Sequence, residues 1–430
     1  IVHRMHFSSQ LSYTPFNITK SMKIYFLGIS GTFMGNLAQI AKAQGHEVIG
    51  CDNKVYPPMS DELNSSGINF FQGYEEKNFV EADIYVIGNA ISKENTILKE
   101  ILRLKKKIIS GPEWLYENIL QNKKVIAVSG THGKTTVTSM IAHSLVDNNF
   151  DPNYLIAGIP KKLDKSWNIS EDEIFVIEAD EYDTCFFDKR PKFFHYSPTI
   201  LLVNNIEFDH ADIYENIEMI EDNFFELIKT MPSNSRVLVN EHRVSERFKN
   251  NLVTYKFETK LQFLSIDASN IHEENKLLAA YAIEEFLPKD KVLSSLEDYK
   301  GVKRRFETIF ENDNFKLIDD FAHHPTAIDE TIKMATEQTD NLILIIELGS
   351  NSMKKGIHDE RLLNIFKNQN VYTINASANQ RKIFANHAQE LTKADVAKIC
   401  TTEAKKKTIL MCGNRNFQGF QKLILDELIK

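Results

Sequence analysis

The sequence predicts an α/β protein of three domains, each a mainly parallel sheet wound with helices on both faces. Three observations carry that expectation. Short apolar runs with strand character alternate with stretches of helical periodicity, the same alternation restarts twice along the chain, and a glycine-rich loop of phosphate-binding type stands where the second set begins. A chain of 430 residues is also too long for one ordinary core.

In the first set, Lys23–Gly28 (KIYFLG) is an apolar run closed by a glycine turn, and Met34–Gln44 follows with helical spacing. His46–Cys51 and Ile84–Gly88 repeat the strand signal, with helical segments between. The second set opens at Lys124–Ser129, runs through GTHGKTT into an apolar helix, and continues at Ile174–Ile177 and Ile200–Val203. The third comprises Phe315–Ile318, Leu342–Ile346, Val371–Ile374 and Thr408–Met411. Boundaries near Gln121 and Leu296 give domains over 22–121, 122–297 and 298–430. The first and third are expected to be Rossmann-like and the central one of P-loop ATPase type. Ile1–Ser21 is polar and precedes Met22, where the strand pattern begins at once; it reads as a disordered or upstream extension.

Composition narrows the function. The chain is 42% hydrophobic and 26% charged, and no apolar run approaches the roughly 20 residues of a membrane helix. A net charge of −8 argues against a nucleic-acid binder, which needs a basic excess to displace counterions. Cys51, Cys185, Cys400 and Cys412 are far apart, without disulfide or zinc spacing, so a reducing cytoplasmic setting is expected.

Gly130, Thr131, His132, Gly133, Lys134, Thr135 and Thr136 lie between a strand and a helix. There, backbone N–H groups and the positive helix end can cradle phosphates. Glycines permit close approach of the anion, Lys134 can reach the β- and γ-phosphates, and the Thr135 hydroxyl can ligate Mg²⁺. The loop is a shortened variant, with Ala127 and Val128 where a longer pattern would place glycine. Glu178-Ala179-Asp180-Glu181-Tyr182-Asp183 follows one strand of the same set, and Asn204-Asn205-Ile206-Glu207-Phe208-Asp209-His210 follows the next. Either cluster alone also reads as a solvated loop. After a phosphate loop, they supply the oxygen ligands that hold Mg²⁺ against a nucleotide.

These three motifs, in this order, resemble the Mur ligase family from Met22 to the C-terminus. The resemblance implies an ATP- and Mg²⁺-dependent ligase that activates a carboxylate as an acyl phosphate and joins it to an amine. It implies that Lys134 binds the ATP phosphates and that Thr135, Glu178 and His210 hold the metal. Asn275 matches the second Asn of the family's adenine-side motif, where His272 replaces the first. Gly301–Glu307 resembles G-x-x-RRFE, which directs Arg305 at the γ-phosphate or acyl phosphate. Asp319–Thr326 (DDFAHHPT) places Asp320 toward the incoming amine, which Asp320 or His323 would orient or deprotonate. In the family's UDP-N-acetylmuramate-using branch, the turn matching Gly28, Ser30, Gly31 and Thr32 holds the UDP diphosphate at a helix start. Asp52, at the end of the next strand, faces the nucleotide or simply forms a turn.

Several stretches, among them EADEYDT at Glu178–Thr184, DDFAHHPTAI at Asp319–Ile328 and SNSMKKGIH at Ser350–His358, look most like the family members that attach the murein tripeptide L-alanyl-γ-D-glutamyl-meso-diaminopimelate to UDP-N-acetylmuramate in peptidoglycan recycling. Members adding free L-alanine are the alternative. In the tripeptide reading, Ser350, Asn351 and Lys354 contact the peptide, although a solvated lysine turn has the same signature. The expected partners are these two substrates, with no nucleic acid or membrane, in a monomer or weak homodimer.

Overall fold

The computed structural model describes residues 21–367 and 369–430; the extension read at the N-terminus lies outside them except for Ser21. The described chain forms two compact units. One comprises the residues up to Leu115 together with Thr184–Lys189, and the other comprises Tyr116–Asp183 with Arg190–Lys430.

The first unit is built on β1 (Lys23–Leu27), β2 (Glu47–Asp52), β3 (Asn69–Gln72), β4 (Ile84–Ile87) and β5 (Ile108–Ser110). Their order is β3-β2-β1-β4-β5 and every pairing is parallel. Because helices cover both faces, the central strands are apolar on both sides. Ile24, Tyr25, Phe26 and Leu27 are all fully buried. Gly50 in β2 is dictated by crowding: a Cβ there would stand 2.5 Å from the Phe26 carbonyl oxygen and 2.7 Å from Ile29 Cδ1. Gly50→Ala is therefore expected to destabilise this unit by about 1–3 kcal/mol, seen as an earlier unfolding transition in denaturant while the second unit's transition stays in place.

The second unit holds two sheets. Strands β6 (Lys124–Ser129), β7 (Asn153–Leu155), β8 (Trp167–Asn168), β9 (Ile174–Ala179), β10 (Ile200–Val203), β11 (Arg236–Asn240) and β12 (Lys260–Leu264) are ordered β12-β11-β10-β6-β9-β7-β8. Only β8 runs antiparallel. The helix Lys134–Asp147 is packed nearly all round. Its Val137, Met140, Ile141 and Leu145 meet Ile126, Val128 and Val176 of the sheet and Leu278 and Ala282 of the helix Ile271–Ala282. Strands β13 (Glu307–Glu311), β14 (Phe315–Asp320), β15 (Leu342–Glu347), β16 (Asn370–Ile374), β17 (Ala388–Glu390) and β18 (Lys407–Cys412) form the other sheet, ordered β13-β14-β18-β15-β16-β17 with β13 antiparallel. Alternation along its strands feeds two cores: Ile318, Leu344, Ile346 and Leu410 point to one face, and Leu317, Ile343, Ile345 and Ile409 to the other.

Every strand expected from the sequence is present within a residue or two. Strands β3, β5, β7, β8, β11 and β17 were not expected, nor were the edge strands β12 and β13. Their side chains alternate between exposed and partly buried, which leaves little apolar signal to read.

Candidate active site

Strand β6 delivers the chain to the phosphate loop, and backbone geometry there requires glycine. Gly130 has φ +140° and Gly133 has φ +82°. A Cβ at Gly133 would lie 2.6 Å from Asn204 Nδ2, so the loop also packs too tightly against the end of β10 to admit one. The His132 amide donates to Asn205 Oδ1 at 3.0 Å, and its carbonyl accepts from Asn205 Nδ2 at 3.0 Å. The Thr131 hydroxyl is joined to the backbone of Glu207. Asn204 and Asn205 thus brace the loop, a role that a sequence pattern of residue types does not announce.

Lys134 opens the helix and turns back over the loop. Its Nζ donates to Glu181 Oε2 at 2.8 Å and lies 3.7 Å from Asp180 Oδ1. Burial disfavours charge on Lys134, but Glu181 and Asp180 outweigh it and hold the ammonium's pKa above its usual value. Glu181 is only 2% exposed. His210 Nε2 stands 3.5 Å from its other oxygen; burial opposes a proton on that ring, and the bond to Glu181 with the neighbouring acids raises the pKa nonetheless. Asp180, Glu181 and His210 offer donor atoms within 4.8 Å of one another.

Beside this group, the Thr135 hydroxyl donates to Glu178 Oε2 at 2.8 Å, and the Ala157 amide holds Glu178 Oε1 at 2.6 Å. Burial pushes the Glu178 carboxyl up. Four carboxylate-bearing or hydroxyl side chains around one ammonium fit a hard divalent cation and a polyphosphate. The sequence singled out Thr135, Glu178 and His210; the structure sets His210 with Asp180 and Glu181, and Thr135 with Glu178, on either side of Lys134. A cleft next to the loop is lined by His132, Gly133, Thr136, His272, Asn275 and Tyr299. Asn275 is 5% exposed and its Oδ1 has no hydrogen-bond partner, an acceptor suited to a base amino group.

The last sheet brings its own groups to this place. Arg305 Nη2 donates to the Thr135 hydroxyl at 3.0 Å, and its guanidinium lies over the Phe321 ring, 4.8 Å from the centroid. Both flanking residues adopt left-handed backbone, Arg304 at φ 60° and Phe306 at φ 50°, a conformation that side-chain-bearing residues hold only when their surroundings fix it. Asp320 does so. One of its oxygens accepts from the Phe306 amide at 2.6 Å and the other from the Ala322 amide at 2.7 Å. Asp320 is thus placed to position Arg305. His323 Nδ1 faces the Phe321 carbonyl at 3.0 Å and Nε2 lies 4.0 Å from Asp209; burial lowers its pKa.

Ser350 caps the short helix Asn351–Lys354 through the Met353 amide. Asn351 Nδ2 donates to Asp212 at 3.1 Å and Ser352 Oγ to Asp209 at 2.6 Å, while Lys354 is exposed. In the first unit, Gly28 has φ +92°, and Asp52 Oδ2 accepts from both the amide (2.9 Å) and the hydroxyl (2.6 Å) of Ser30. Gly31 caps the helix Thr32–Ala43 without a side-chain acceptor, so the first-turn amides are open to an anion.

Glu207 and His324 join the two sheets' loops at 3.5 Å. Burial lowers the His324 pKa to about 3, and Glu207, despite burial, is held at about 2 by His132, His324 and Thr326. Below pH 6.5, an unfolded His324 takes up a proton that the folded one refuses. Stability should therefore fall as pH drops from about 6.5 toward about 3, and His324→Phe should flatten that slope in chelator-containing buffer, measured by urea unfolding across the range.

Comparison with known proteins finds three successive family matches: "Mur ligase family, catalytic domain" over residues 23–123, "Mur ligase middle domain" over 128–291, and "Mur ligase, glutamate ligase domain" over 304–415. The chain is 36% identical to the UDP-N-acetylmuramate–L-alanyl-γ-D-glutamyl-meso-2,6-diaminoheptandioate ligase of Escherichia coli K12, over 78% of this chain and 81% of that protein. It is 34% identical to the ligase of the same name from Haemophilus influenzae, over 94% and 99%. A solved murein peptide ligase from Psychrobacter arcticus superposes with a TM-score of 0.72 at 30% identity, covering 95% of this chain and 99% of that one.

Proposed function

This chain belongs to the Mur ligase family, and from that premise we propose that it joins the murein tripeptide L-alanyl-γ-D-glutamyl-meso-diaminopimelate to UDP-N-acetylmuramate at the expense of ATP, within peptidoglycan recycling. The observation that carries the chemistry is the convergence on Thr135, which Glu178 reaches from its own sheet and Arg305 from the next, beside the Lys134 ammonium. The family likeness at the tripeptide-adding members supports the choice of amine.

The lactyl carboxylate of UDP-N-acetylmuramate attacks the γ-phosphorus of ATP, and the bond to the ADP oxygen breaks with its electron pair leaving on ADP. Lys134 and Arg305 face the oxygens on which charge spreads, and both are held before substrate arrives. Mg²⁺, held by Thr135, Glu178 and His210 with Glu181 alongside, would neutralise phosphate charge. The L-alanine amine of the peptide then attacks the acyl carbon, and phosphate leaves with the bonding pair. With a proton on Nδ1 toward the Phe321 carbonyl, His323 keeps its Nε2 lone pair and, being neutral near pH 7, accepts the amine's proton.

The turn at Gly28–Thr32 takes the UDP diphosphate, and exposed Lys354 suits a peptide carboxylate. The four cysteines are free thiols, which fits a cytoplasmic enzyme, and no helix among the described residues is long and apolar enough to cross a membrane.

ADP release with purified protein tests the reading. It should require UDP-N-acetylmuramate and the tripeptide together, with kcat/KM for free L-alanine lower by about 100-fold or more. Equal use of L-alanine would assign the chain to the alanine-adding members, and ATP hydrolysis indifferent to both substrates would remove the ligase reading.

A further inference from the structure

We propose that His132, Glu207 and His324 form a second cation site, for a divalent transition metal of borderline softness such as Zn²⁺ or Co²⁺, which ties the phosphate loop to the loop after β14 of the last sheet. The site is separate from the acids around Lys134. Although the His132 backbone belongs to the phosphate loop, its side chain turns to Glu207, with Nε2 3.1 Å from Oε1. His324 arrives from the loop after β14, with Nδ1 3.5 Å from Glu207 Oε2. One donor atom from each of the three lies within 4.8 Å of the others. A tetrahedral metal with bonds of about 2.0–2.1 Å needs donors about 3.3–3.4 Å apart, so small side-chain rotations complete the set.

A second observation points to the same ligand. His324 is 2% exposed, yet neither ring nitrogen has a hydrogen-bond partner. A buried imidazole ordinarily satisfies at least one, and an unmet pair is costly. The ring is held rather than free: His358 packs edge-on at 4.8 Å between centroids, and His132 lies 5.9 Å away on another side. Thr326 donates to Glu207 Oε2 at 2.6 Å, and the half-exposed Arg361 sits 3.6 Å from the same oxygen. These two contacts leave Oε1 for the metal and fix the carboxylate's orientation, as outer groups do around metal ligands. Two imidazoles and one carboxylate favour Zn²⁺ or Co²⁺ over Mg²⁺, whose preference is for oxygen.

Titration of the full, chelator-treated chain with Co²⁺, without nucleotide, tests the proposal through the visible d–d bands of a low-coordinate ion and the melting temperature. Wild type should develop the bands and melt several degrees higher with Co²⁺. His324→Ala and His132→Ala should lose both effects, while His210→Ala and Glu181→Gln retain them. If His324→Ala does not fold, His132→Ala decides alone, because its side chain is less deeply buried than that of His324, with 13% of it exposed. Bands that persist in the His132 and His324 variants, bands lost in His210→Ala, or no uptake by wild type would each overturn the assignment.

Discussion

Lys134→Ala is expected to cut ADP formation by about 10²–10³-fold or more and, in the same protein, to lower stability by about 3–5 kcal/mol. The two losses have different origins. Catalysis fails because a preorganised cation facing the transferred phosphoryl group is gone. Stability falls because the lysine is the ion partner of Glu181, which is 2% exposed, and lies near Asp180; without it, a carboxylate stays buried with only His210 as counter-charge. Asp180 suffers less, since Lys192 also reaches it at 2.7 Å. A paired substitution separates the effects: Lys134→Ala with Glu181→Gln should recover much of the lost stability and none of the activity. Calorimetry and steady-state ADP release on wild type and these two variants measure both. A single variant that keeps wild-type turnover would remove Lys134 from the reaction.

Arg305→Ala should lower kcat by about 10³-fold or more, in the range found when an arginine facing a transferring phosphoryl group is removed, with little change in KM for ATP. Although Arg305 also lines the cleft that holds Asn275, its contacts are with Thr135 and the Phe321 ring. Arg305→Lys keeps the charge but loses the planar fork that stacks on Phe321 while donating to Thr135, so it should recover only a small part of the rate. Rapid quench of acyl phosphate formation would locate the defect in the first step. A normal burst followed by slow peptide transfer would instead place Arg305 in the second.

The fold was legible because central parallel strands are apolar on both faces. Lys23–Leu27, Lys124–Ser129 and Leu342–Glu347 announce themselves, while β13 (ETIFE), half-exposed at an edge, does not. The phosphate loop was legible for a different reason: the spacing of Gly130, Gly133 and Lys134 is local, and the backbone angles it requires follow from the residue types. What sequence could not supply were the pairings across separate loops. Glu181 lies in a cluster already noted for its acids, yet that it rather than Glu178 takes the Lys134 bond depends on where β9 ends relative to the helix. Asn204 and Asn205 look like polar loop residues until β10 is set beside β6. The amide contacts of Asp320 likewise follow from the turn at Arg304–Phe306, which no periodicity encodes.

Those amide contacts depend on residues distant in the chain. The end of β14 that carries Asp320 is aligned with Cys412 of β18 in the parallel register. The strand that presents Asp320 to the Arg304–Phe306 turn is thus seated in its sheet between β13 and a strand from almost the end of the chain.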